Sequence, residues 1–138
     1  MARSDQTPVF ETVTNAQAAR FYRLLGPLLA RREVHKSLGG VPWDDDGKTW
    51  IVALDGKEVT GFIGVTKAGS VESLYTRPGR SGLRAQLVAA AVDTAGDRAL
   101  HATVSHSRTP AYTAAGFKVD SQTVNFAKVH RPANGAKA

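Results

Sequence analysis

The spacing of apolar and polar residues changes several times along the chain, and each change marks an element. Thr49–Asp55 (TWIVALD) and Glu58–Lys67 (EVTGFIGVTK) are short runs rich in β-branched and aromatic residues, separated only by Gly56-Lys57. This predicts a tight hairpin. Ala68–Ser70 turns the chain into a third strand of the same meander, Val71–Arg77 (VESLYTR). After Pro78–Gly82 the period lengthens, and Leu83–Ala95 (LRAQLVAAAVDTA) reads as an apolar helix stopped by Gly96. Ala99–His106 returns to a strand pattern. Arg108–Gly116 (RTPAYTAAG) is a short helix with Pro110 in its first turn, and Phe117–Ser121 and Thr123–His130 form a closing hairpin or bulged pair. Upstream, Pro8–Thr14 predicts a strand and Asn15 a helix cap. Ala19, Tyr22, Leu25, Leu28 and Leu29 form the apolar face of the helix that follows. Gly26-Pro27 is expected to kink or split it, its second half ending at Gly39-Gly40, and Val41–Lys48 is a loop.

An antiparallel meander leading into a β-α-β crossover predicts an α+β fold, with a mixed central sheet of about six or seven strands flanked by about four helices. Residues 1–131 read as one domain, and 132–138, rich in Pro, Gly, Ala and Lys, as a flexible tail. At 138 residues, 42% apolar and 22% charged, the chain has the make-up of a cored globular domain. No apolar run approaches the roughly 18 residues of a membrane span. The segment MARSDQTPVFE has no signal-peptide core, so a cytoplasmic location is the default expectation. Having no cysteine, the chain has no disulfide, cysteine nucleophile or cysteine-ligated zinc. The net charge of +6 suits a polyanionic partner, or solubility alone.

Between Val71–Arg77 and Leu83 lies the pattern strand, Gly-rich turn, helix start. Amides at a helix start lack intrahelical acceptors, and with the helix dipole they attract a pyrophosphate. Gly79 and Gly82 let the backbone approach a ligand, and Arg77, Arg80 and Arg84 add positive charge. A plain connecting loop with solvated arginines is the alternative. With VESLYTRPGRSGLRAQLVAAAV followed by AYTAAGFKV, and the hairpin in front, residues 49–120 resemble the GNAT superfamily of acyl-CoA-dependent N-acyltransferases. The resemblance implies an acyl-CoA, acetyl-CoA first, as co-substrate. It also implies cofactor contacts from Leu74, Tyr75, Thr76, Arg77, Arg80, Ser81, Gly82, Leu83 and Arg84. That family's loop reads Gln or Arg, two residues, Gly, one residue, then Gly or Ala. Here R-P-G-R-S-G puts Arg80 where the first glycine belongs.

Acylating an amine requires a proton acceptor for the amine and a proton for the departing thiolate. Tyr112, four residues before Gly116-Phe117, matches the family's position for the acid, and a tyrosine packed in the core is the other reading. Glu72 is the base candidate. Strict alternation puts Leu74 on its face, which argues against simple exposure, while a surface glutamate paired with lysine is the alternative. Trp43 and Asp44 in WDDD, together with His35 and His106, are candidate acceptor contacts; a solvated turn and ordinary surface histidines are the competing readings. No metal site is expected, because the acids lack ligand spacing.

The leading reading is an N-acyltransferase acting on an amine, as a monomer or homodimer away from membranes. SHSRTPAY and the short serine-bearing loop also faintly resemble Mom-type phage enzymes, GNAT-like proteins that modify adenine in DNA, and the basic charge is compatible with a nucleic-acid acceptor. Arg80 in place of glycine supports a third reading, a non-catalytic GNAT-like binding module.

Overall fold

The computed structural model describes residues 9–38, 47–80 and 82–133. In chain order these form β1 (Val9–Val13), α1 (Ala18–Leu29), α2 (Arg32–Leu38), β2 (Thr49–Asp55), β3 (Glu58–Val65) and β4 (Val71–Thr76). They continue with α3 (Leu83–Ala95), β5 (Leu100–Ser105), α4 (Thr109–Ala114), β6 (Lys118–Gln122) and β7 (Phe126–Arg131). The α+β class, seven strands and four helices agree with the expectation. The expected single sheet is instead two antiparallel sheets, ordered β1-β2-β3-β4 and β5-β7-β6.

The first sheet is covered on both faces, which explains why the middle of β2 is buried without interruption. Trp50, Val52, Leu54, Phe62 and Tyr75 pack with Phe21, Leu25, Leu28 and Val34 of α1 and α2. Ile51, Ala53, Ile63, Val65, Val71 and Leu74 pack instead with Leu83, Leu87, Val88 and Ala91 of α3. That second core continues into Leu100, Ala102 and Val104 of β5, so it underlies the junction of the sheets.

The sheets touch through one parallel bridge, Ser70 to His101, where the His101 amide donates to Gly69 O at 2.9 Å. Gly69 is required there. Its φ is +91°, and a methyl group in its place would lie 2.5 Å from Ala99 O. Beyond this bridge no ladder joins β4 to β5. The strands therefore meet at one bridge, and their later residues are not hydrogen-bonded to each other.

Several expectations at the amino-terminal end need correction. Gln17, not Asn15, occupies the position before α1. Pro27 lies inside α1 without ending it, and the break comes at Ala30–Arg31. Removing one amide near a helix end is tolerable when Leu25 and Leu28 are buried on either side of it in sequence. The buried stripe is Phe21, Leu25 and Leu28, while Tyr22 is 62% exposed. Two adjacent aromatics fit the period about equally well, and packing chose the first. No described helix is long and apolar enough to cross a membrane.

Candidate active site

β4 carries an irregularity that shapes the site. Its register with β3 runs Gly61 to Thr76 and Phe62 to Tyr75, then jumps to Gly64 opposite Glu72. The extra residue is a β-bulge, and within it Ser73 has φ of +61°, the one non-glycine positive φ among the described residues. The bulge changes side-chain parity. Val71 and Leu74 both face α3, whereas Tyr75 faces α1 and α2. Leu74 therefore does not share the face of Glu72, and the alternation argument for that residue was wrong.

Glu72 lies on the α1–α2 side, held by donors on both carboxylate oxygens. Lys48 Nζ donates to Oε1 at 2.9 Å and Ser70 Oγ to Oε2 at 3.0 Å. The lysine partner that a surface glutamate would have is present, but here the lysine is the buried member. The Lys48 side chain is 0% exposed and that of Glu72 38%. The ammonium also sits 4.3 Å from the centre of the Trp50 ring. The lysine stem fits because residue 64 of β3 is glycine; a methyl group there would overlap it. Each carboxylate oxygen keeps a lone pair beyond these bonds, so the group is oriented without being saturated.

β4 is the edge strand of the first sheet. The Arg77 amide donates to Thr60 O at 2.9 Å, so it points toward β3. By alternation the Thr76 main-chain groups point the other way, away from β3. The side chains of Leu74, Tyr75 and Thr76 are buried, which leaves only their backbone for a ligand. In the following loop the Arg80 amide returns to Arg77 O, and the Leu83 amide is taken by Arg80 O, both at 2.9 Å. Leu83 itself packs in the core. Gly79 has φ of +85°, a turn conformation that favours glycine. Gly82 has an ordinary φ of −62° and starts α3. A Cβ at either glycine would meet nothing within 4 Å, so that face of the loop is open. Arg77 pairs with Glu58 at 2.7 Å and Arg80 with Asp55 at 3.2 Å. Arg80, the residue out of pattern, is thus turned onto the β2–β3 hairpin, where it pairs with Asp55.

Tyr112 is 1% exposed and belongs to the core that also holds Leu74 and Val104. Its ring stands edge-on to Phe117 with centroids 5.3 Å apart, and its carbonyl accepts the Ala115 and Phe117 amides. Burial holds the phenol well above its ordinary range, partly opposed by the Arg108 guanidinium. The hydroxyl is therefore protonated at neutral pH.

The histidines have structural partners. His35 Nε2 donates to Leu29 O, closing the end of α1, and His106 Nε2 donates to Thr123 O at 2.8 Å, tying its loop to the β6–β7 turn. Trp43, Asp44 and Ser81 lie outside the described residues. Sequence reasoning missed Lys48, Ser70 and Arg108. Glycine inside the GFIGV strand was the available signal for a close approach such as that of Lys48. Among the described residues no three His, Asp or Glu side chains gather to hold a metal.

No family model matches the chain, and no curated protein matches it in sequence. Solved structures do match its fold. Escherichia coli ElaA aligns over 91% of this chain and 99% of its own, at 13% identity and a TM-score of 0.66. An acyl-CoA N-acyltransferase from Pseudomonas aeruginosa aligns over 91% and 99%, at 13% identity and a TM-score of 0.64. An aminoglycoside acetyltransferase in complex with coenzyme A aligns over 91% and 95%, at 16% identity and a TM-score of 0.61. The chain has the fold of the GNAT acyltransferases.

Proposed function

We propose that the protein transfers an acyl group, acetyl in the first instance, from acyl-CoA to an amine. The observation that carries this reading is the unladdered edge of β4 beyond its one bridge to β5, followed in the chain by the loop that leads into α3. It occurs in a fold shared with an acetyltransferase solved with coenzyme A. An extended donor arm containing amides suits the Thr76 backbone, because it can add to the free edge as a strand would. The open face of Gly79 and Gly82 and the first turn of α3 suit the donor's pyrophosphate. Arg77 and Arg80 are held only by partly exposed carboxylates, weak partners that a phosphate can replace.

In this reading the amine approaches from the α1–α2 side, where Glu72 opens. Attack on the thioester carbonyl forms the C–N bond, and collapse of the adduct breaks C–S. Glu72 takes the proton lost by the amine, directly or through water. Tyr112 gives its proton to the sulfur, and exchange with solvent restores both groups. An acceptor panel that includes duplex DNA separates this reading from the nucleic-acid one, and thiol release separates it from a non-catalytic module. The test is incubation of the purified protein with acetyl-CoA and a panel of amines, read by product mass and thiol release. Thiol release matched by an acetylated amine supports the reading, and its absence across the panel counts against it.

A further inference from the structure

Three arginines rest on carboxylates: Arg20 on Glu11, Arg77 on Glu58 and Arg80 on Asp55. Arg108 and Arg84 do not. Arg108 precedes α4, and its guanidinium reaches the end of α2. Nη2 donates to Ser37 O at 3.1 Å and to Ser37 Oγ at 3.2 Å, and Nη1 donates to Ser105 Oγ at 3.4 Å. All these acceptors are neutral. The Nε atoms of both Arg108 and Arg84 are buried without a hydrogen-bond partner. Among the described residues no carboxylate forms an ion pair with either. Burial, reinforced by the charge of Arg84, lowers the Arg108 pKa below the ordinary arginine value. Arg108 and Arg84 are both half-buried, and a partly desolvated cation near another cation is costly unless an anion joins it. A guanidinium fork is suited to bind one bidentately.

We propose that Arg108, with Arg84 beside it, holds an acidic group of the acceptor, so that the acylated amine also carries a carboxylate or phosphate. This rests on the proposed function, with Tyr112 at the thioester sulfur. Arg108 lies one helical turn before Tyr112 and interacts with its phenol electrostatically. An anion within reach of Arg108 is then at the reacting end of the donor. The donor's own phosphates are separated from its sulfur by the whole pantetheine arm. Arg108 also extends to α2, on the side of the first sheet where Glu72 opens.

The test compares pairs of amines that differ only in a carboxylate or phosphate, with acetyl-CoA as donor. Wild type prefers the acidic member. In Arg108→Gln that preference collapses toward one, a loss of about 10- to 100-fold in kcat/KM for the acidic member, the worth of a charged hydrogen bond. A preference for neutral amines, or a loss confined to acetyl-CoA affinity with the acidic preference intact, overturns the proposal. A second measurement needs no turnover: thermal stabilisation by inorganic phosphate and by malonate, in wild type, Arg108→Gln and Arg84→Gln. Saturable stabilisation that depends on both arginines upholds the subsite even if acetyl-CoA does not bind, which would fault the proposed function alone. Stabilisation equal in all three proteins, or absent from wild type, overturns it. Among the described residues the Arg84 side chain makes no hydrogen bond, so Arg84→Gln guards against misfolding of Arg108→Gln.

Discussion

The pair formed by Lys48 and Glu72 allows structural and chemical roles to be separated. Glu72→Gln removes one anionic partner of an ammonium whose side chain is 0% exposed. Breaking a fully buried pair costs about 3–5 kcal/mol. Because the Glu72 side chain is 38% exposed, water screens part of this, and about 2 kcal/mol is the reasonable expectation. For a chain of this size that lowers Tm by about 6–10 °C. Lys48→Met should cost less, since methionine fills the stem's place beside Trp50 and the orphaned carboxylate can be solvated. The double variant removes both members of the pair, so its Tm should lie above that of Glu72→Gln. Its acyl transfer should not recover, because the proton acceptor is gone. The assays are thermal melts and thiol-release kinetics on all four proteins. A double variant with wild-type turnover would remove Glu72 from the chemistry. A Glu72→Gln protein as stable as wild type would show that Lys48 has no need of the pair.

Tyr112→Phe keeps the ring against Phe117 and removes only the proton, so turnover should fall by about 10²–10⁴-fold while acetyl-CoA affinity holds. Full activity in stopped-flow thiol release would return Tyr112 to a packing role alone. The same substitution has an alkaline signature. The folded phenol keeps its proton above pH 10.0, where an unfolded tyrosine ionises, so wild-type stability falls as pH rises past that value. Tyr112→Phe should lose stability less steeply in denaturant titrations across that range; equal slopes would contradict the burial effect. A small acidic acceptor also implies weak duplex-DNA binding that vanishes at moderate salt, as measured by fluorescence anisotropy. Tight binding at physiological salt would favour the DNA-modifying alternative.

Elements with strong local signals were legible. The β2–β3 hairpin sits where Gly56-Lys57 separates two β-rich runs, and α3 spans the expected Leu83–Ala95 before Gly96. Features set by distant contacts were not. The bulge at Ser73 contains no glycine to announce it, yet it reverses which residues of β4 share a face with Glu72. Lys48 follows three aspartates and a glycine, the composition of a solvated turn, and only packing against Trp50 and Gly64 reveals its burial. Arg108 sits in a polar loop sequence, and its partner Ser37 is 71 residues away in the chain. The division into two sheets depends on β4 and β5 sharing only one bridge, which no local pattern encodes.

Calorimetric titration of acetyl-CoA into wild type and Gly82→Asp bears most directly on the central claim. Position 82 has an ordinary φ of −62°, and a Cβ there meets nothing within 4 Å, so the variant should fold with an unchanged Tm. The account predicts one site in wild type and an affinity at least about tenfold weaker in the variant, where a carboxylate faces the pyrophosphate at the start of α3. A wild-type protein that does not bind acetyl-CoA, or a variant that binds it equally well, would contradict the account.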